Sequence, residues 1–142
     1  MAKTSRTFLE FDTSSRELFA QLAKSLAGPS GETLKNKDVF FIAMAWGHQH
    51  GVKAKSIKKS GTGVRIEYLK DEDRALIAAI HLAESGNLDE LLEEDKGFEL
   101  AELFAEGGIR LLAEEMKNPG QFGEAFAAEI ATQAREVAVE ED

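Results

Sequence analysis

Residues 36–47 read Asn36-Lys37-Asp38-Val39-Phe40-Phe41-Ile42-Ala43-Met44-Ala45-Trp46-Gly47, and the fold class turns on this stretch. Asn36 is a favourable N-cap, and Asp38 lies near the positive end of the helix dipole. From Val39 to Trp46 no polar residue interrupts the run. A helix that is apolar all round must be buried on every side, by the rest of the domain or by a second subunit. Other elements are therefore expected to wrap this helix, and a homo-oligomer is expected. The run is far shorter than the roughly 20 residues that span a bilayer, so no membrane segment is expected.

Upstream, Thr7-Phe8-Leu9-Glu10-Phe11 is β-prone and reads as a short strand. Ser14 to Glu17 has the S-x-x-E spacing of a capping box. The helix that follows places Leu18, Leu22 and Leu26 on one face, with Phe19 beside them. Gly28-Pro29 stops it. Downstream, Lys53 to Lys59 is basic with a faint alternation, and Gly61-Thr62-Gly63 reads as a turn. Val64, Ile66 and Tyr68 alternate with Arg65 and Glu67, the pattern of a half-buried strand with Tyr68 toward the core. Segments 54–59 and 64–69 are thus expected to form an antiparallel hairpin.

From Asp71 onward the pattern is helical. Asp71, Glu72 and Asp73 favour a helix start, Leu76, Ile77 and Ile80 make a stripe, and Gly86 ends it. Leu88, Leu91 and Leu92 suggest a short helix. Phe98 to Met116 keeps helical spacing across Gly107-Gly108. Two mid-helix glycines cost roughly 1 kcal/mol each relative to Ala, so close helix packing or a break into two helices is expected there. Pro119-Gly120 interrupts, and Phe122, Phe126 and Ile130 mark a last helix. The expectation is one domain over 1–142 of the α+β class. It is helix-dominated, with a short N-terminal strand, a small antiparallel hairpin and about six helices.

Of 142 residues, 43 % are apolar, which is enough for a core. There is no Cys, which removes disulfides, thiolate nucleophiles and Cys-based zinc sites together. Met1 to Glu10 has no apolar run of signal-peptide type, and a cytoplasmic protein is expected. The net charge of −9 hides a split. Residues 1–70 carry 12 Lys+Arg against 6 Asp+Glu, a net of +6, and residues 71–142 carry 5 against 20, a net of −15. Such asymmetry points to different partners for two surfaces, DNA for the basic one and a basic protein for the acidic helices, or to two surfaces that face each other. The plainer alternative for the acidic half is solubility.

No catalytic motif is assembled. His48 and His50 are two apart, so on a helix their rings diverge, and metal pairs there use i,i+4 spacing. Gly61-Thr62-Gly63 lacks the phosphate-loop pattern and precedes a strand rather than a helix. Glu93-Glu94-Asp95 and Glu114-Glu115 diverge around a helix and read as solvated faces. His81 reads as a core-edge residue. No cofactor and no metal are expected, and an enzyme is the least favoured class. Lys53, Lys55, Lys58, Lys59 and Arg65 are the candidate functional residues. On a hairpin Lys53, Lys55 and Lys59 share a strand face and the turn brings Arg65 near, which would suit phosphate contacts. Otherwise they form a charged edge that discourages strand aggregation.

Two resemblances follow. Residues 6–50, with strand Thr7–Phe11, capped helix Ser14–Leu26 and helix Asn36–Gly51, resemble the ribbon–helix–helix repressors. That likeness implies a dimeric regulator whose strand pairs across the dimer and meets DNA through Arg6, Phe8 and Glu10. Residues 36–117 carry Lys37 to Gly47, Arg65-Ile66-Glu67-Tyr68-Leu69 with Asp71-Glu72-Asp73, and Ala101-Glu102 to Gly107-Gly108-Ile109. This string resembles small prokaryotic proteins associated with DNA-phosphorothioation modification and restriction (dnd-type) gene clusters. It implies a setting of DNA modification or phage defence and carries no catalytic residues over. The leading expectation is a non-enzymatic accessory protein that touches nucleic acid through its basic hairpin. The others are a ribbon–helix–helix regulator, and a structural or interaction protein such as a viral component or scaffold.

Overall fold

The computed structural model describes residues 6–26 and 34–116. Strand β1 (Phe8–Asp12) leads through a 3-10 turn (Thr13–Ser15) into helix α1 (Arg16–Ser25). Helix α2 (Asn36–Gln49) is followed by strand β2 (Lys59–Arg65), a 3-10 turn (Ile66–Tyr68) and helix α3 (Asp71–Ser85). A 3-10 segment (Leu88–Leu92) then precedes helix α4 (Glu94–Met116). The molecule is helix-dominated with one antiparallel strand pair, as expected. The described residues hold four α-helices rather than about six, because Leu88–Leu92 coils as 3-10. The helix expected over Phe122, Phe126 and Ile130 lies outside the described residues.

The strand pairing differs from the expected one. β2 pairs with β1, with Phe8 opposite Arg65, Leu9 opposite Val64, Glu10 opposite Gly63 and Asp12 opposite Lys59. Segment 54–59 is not the partner of 64–69. Gly61-Thr62-Gly63 lies inside β2, not at a turn. Residues 60–62 stand opposite Phe11 alone, which makes a bulge. Gly61 takes φ +74° there, and its N–H donates to Glu10 Oε1 at 2.7 Å. Past the strand the chain tightens into a 3-10 turn, which breaks the alternation. Ile66 is buried while Tyr68 swings outward, 64 % exposed.

Helix α4 is the hub against which β1, α1, α2 and α3 pack. Phe98, Phe104, Ile109 and Leu112 on α4 join Leu9, Phe11, Phe19, Phe40, Met44 and Ile77 in one buried cluster. Each such side chain contributes about 1.5–3 kcal/mol through burial. The Phe11 and Phe19 rings stack with centroids 4.2 Å apart. Helix α2 is not buried all round. Val39, Phe40, Ala43, Met44 and Gly47 are buried, Phe41, Ile42 and Trp46 are half-buried, and Ala45 is exposed.

The adjacent glycines of α4 face two partners, Gly108 the crossing with α2 and Gly107 the backbone of Val52 just beyond it, and the helix runs through both unbroken. A Cβ on Gly108 would lie 1.8 Å from the Ala43 carbonyl oxygen, and one on Gly47 would lie 2.2 Å from that of Phe104. The backbones therefore touch, which is the compensation that the helix-breaking glycines require.

The caps also depart from expectation. Ser14 does not cap α1, whose N-cap position is Ser15; Asp12 instead caps the preceding 3-10 turn, accepting from the Ser14 N–H at 2.8 Å and the Ser14 hydroxyl at 2.6 Å. Ser15 is buried and turned toward α4. Lys35, not Asn36, precedes the first turn of α2. Helix α3 begins at Asp71 and ends at left-handed Gly86, as read from sequence. Its expected stripe is shifted, with Ile77, Ile80 and His81 buried and Leu76 exposed.

Candidate nucleic-acid interface

After α2 the chain turns at Gly51 and runs along α4 as an extended connection. The Val52 N–H donates to the Gly47 carbonyl at 2.8 Å, and the Ala54 N–H donates to the Leu103 carbonyl at 3.0 Å. Gly107 makes room for this path, since a Cβ there would lie 2.4 Å from the Val52 carbonyl oxygen. The far end is fixed from both sides at Lys58. Its N–H donates to Asp12 Oδ2 at 2.7 Å, and its carbonyl accepts from the Thr13 N–H at 2.9 Å and the Thr13 hydroxyl at 3.0 Å. The backbone is thus pinned while the side chains of Lys53, Lys55, Lys58 and Lys59 reach solvent.

The four lysines are not equivalent. Lys53 Nζ lies 3.8 Å from Glu84 Oε2 and 5.7 Å from the Phe104 ring centre. Lys55, Lys58 and Lys59 have no carboxylate in ion-pair range among the described residues. Arg65 stands apart from them, in correction of the sequence expectation. Because 61–63 lies within the strand rather than at a reversal, the chain runs on through β2. Arg65 ends up at the far end of the strand, up to roughly 20 Å from Lys59 by strand rise. There it pairs with Glu67 at 2.8 Å and covers the Phe8 ring at 5.7 Å.

The acidic residues of α4 include two that composition misreads. Glu102 and Glu106, one turn apart, are buried at 2 % and 1 % exposure. Glu102 lies 2.8 Å from Arg6 and accepts from the Glu10 N–H at 2.7 Å. Burial pushes its carboxyl above the ordinary range, outweighing the Glu10 amide and the Arg6 and Lys59 charges. Glu106 Oε1 accepts from the Ser15 hydroxyl and from Arg110 Nε, each at 2.6 Å. Burial acts to raise the Asp12 carboxyl as well. There the Ser14 hydroxyl, the Lys58 and Ser14 amides and the Arg110 charge outweigh it and hold it below the ordinary range. Arg6, just before β1, is therefore turned to α4, and β1 finds its partner strand in β2 of the same chain.

The remaining acids behave as surface groups. Glu93 pairs with Lys96 at 2.7 Å, and Glu94 pairs with Arg74. His48 sits edge-on to Phe104, and His50 lies against Trp46. Among the described residues no group of three or more His, Asp or Glu could hold a metal ion. Nor is any described helix long and apolar enough to cross a membrane.

One feature of the basic surface escapes the sequence reading. Lys35, Asn36 and Lys37 at the start of α2 share a cleft with Arg65 and Tyr68. The signal was the Lys-x-Lys pair flanking a helix start. What hid the cleft was the assignment of Tyr68 to the core.

Compared with protein-family models, curated proteins and solved structures, the chain matches none.

Proposed function

We propose that this chain is a non-enzymatic nucleic-acid-binding accessory protein that contacts phosphates through the connection between α2 and β2. The observation that carries this reading is the state of Lys55, Lys58 and Lys59. Their backbone is held by hydrogen bonds at both ends, and no carboxylate among the described residues lies in ion-pair contact with them, although the Lys59 charge is felt by Glu102. Cations on an ordered backbone lose little entropy when they meet phosphate, and neutralising phosphates releases condensed counterions. Lys53 and Arg65 stand at either end, already engaged with Glu84 and Glu67, and contribute less. The exposed acids of α3 and α4 disfavour contact of their own surfaces with nucleic acid. The resemblance of residues 36–117 to proteins of phosphorothioation gene clusters suggests a DNA-modification or phage-defence setting.

The test is fluorescence anisotropy of labelled DNA at low and near-physiological salt, with the parent and with a Lys55→Glu, Lys58→Glu, Lys59→Glu variant. The parent should bind with an affinity that falls steeply as salt rises, and the variant should lose most of it. Equal binding by both proteins, or no binding by the parent at low salt, would remove this function.

A further inference from the structure

At the end of β2 away from the lysines, the start of α2 and the strand pair leave a cleft of ≈ 650 Å³. Its lining includes Phe8, Lys35, Asn36, Lys37, Arg65 and Tyr68, with three cations and no carboxylate. The two nearby acids are already engaged, Glu67 by Arg65 Nη1 at 2.8 Å and Asp73 by Lys37 Nζ at 3.1 Å. Each takes one donor nitrogen from its partner. Lys35 has no carboxylate in range among the described residues. Lys35 at the N-cap of α2 makes no side-chain cap hydrogen bond, while Asp38 in the first turn meets the helix dipole and is exposed, outside the cleft lining.

The second half of the cleft is aromatic. Tyr68 is the only tyrosine, and the residue is 64 % exposed. Phe8 is half-buried beneath the Arg65 guanidinium. An aromatic face beside cations matches the two chemistries of a nucleotide, a base that stacks and a phosphate that carries charge. The volume falls within the roughly 300–1,000 Å³ of small-ligand sites.

We propose that this cleft holds one unpaired nucleotide, with its base on the Tyr68 ring and its phosphate between Lys35 and Arg65. The assignment rests on the nucleic-acid reading above and adds a strand preference to it. Bases stacked within a duplex cannot lie on Tyr68, whereas a single strand or a free mononucleotide can present one. The lysine connection contacts phosphates of either form. The cleft distinguishes them.

The experiment measures binding of a labelled oligothymidylate and of a labelled duplex to the parent, to Tyr68→Ala and to Lys35→Glu, with free thymidine monophosphate as competitor. Both substitutions fall on exposed side chains, and circular dichroism checks that the fold is kept. Tyr68→Ala should weaken single-strand binding about tenfold and leave duplex binding unchanged. Lys35→Glu should act in the same direction. Competition by the monophosphate that Tyr68→Ala abolishes would identify a free nucleotide as a sufficient ligand. Its absence alongside a Tyr68-dependent strand would identify the strand itself. Single-strand binding that Tyr68→Ala leaves intact would overturn the cleft while sparing the lysine surface. No binding of any of the three ligands by the parent would overturn both.

Discussion

Helix α4 and the connection between α2 and β2 lie against each other and treat charge in opposite ways. On α4, Glu102 and Glu106 are buried, and each is met by partners from the start of the chain, Arg6 and the Glu10 amide for one, Ser15 for the other. On the connection, the backbone is fixed and Lys55, Lys58 and Lys59 are exposed without an ion-pair contact among the described residues. Acids buried inside the fold against partners of their own chain serve structure. Charge left open on a rigid backbone is available to a ligand. Mutations on α4 should therefore act on stability, and mutations on the connection should act on binding.

The largest effect is expected where α2 and α4 touch. Gly108→Val places a branched side chain against the Ala43 carbonyl, already 1.8 Å from a bare Cβ. Unfolding in urea should show a loss of about 3 kcal/mol or more, or no folded protein at all. A variant of parental stability would mean that the helices do not meet there. Next comes Ser15→Ala, which removes one of the two donors to the buried Glu106 carboxylate. A loss of about 2 kcal/mol is expected in the same assay. Loss of DNA affinity without loss of stability would break the contrast between the two regions.

Smaller effects should appear in the pH dependence. Glu102 has its carboxyl raised by burial. In the window above its ordinary value near 4.5 the folded state therefore binds more proton than the unfolded state, and stability falls as pH rises through that window. Asp12 and Asp73 are held below their ordinary value near 3.8, so the stability they contribute is lost as pH falls below it. Glu102→Gln should flatten the fall on the alkaline side and leave the acid limb in place. An unchanged profile above pH 4.5 would contradict the assignment.

Local structure was legible where the deciding chemistry is local. Asp71-Glu72-Asp73 and Gly86 bound α3 as read, the strand over Thr7–Phe11 corresponds to β1, and the glycine pair pointed to close helix packing. What depends on distant partners was not legible. The alternation of 64–68 signals extended chain but not that its mate is Phe8–Asp12, more than 50 residues earlier. It also hid the outward turn of Tyr68, and with it the cleft. The burial of Glu102 and Glu106 gave no signal in the sequence, because the groups that meet them, Arg6 and Ser15, lie at the other end of the chain. Conversely α2, apolar on every side, keeps one face partly open, while α4 with its acids forms the axis. Burial here follows the available partners more closely than it follows composition.

The most direct test of the division between structure and binding is the slope of log affinity for DNA against log salt, for the parent and for a Lys55→Ala, Lys58→Ala, Lys59→Ala variant. Removing three phosphate contacts should make the slope shallower by about three while unfolding stability stays within about 0.5 kcal/mol. An unchanged slope would show that these lysines do not meet phosphate, and the connection would then be only a charged edge of the sheet.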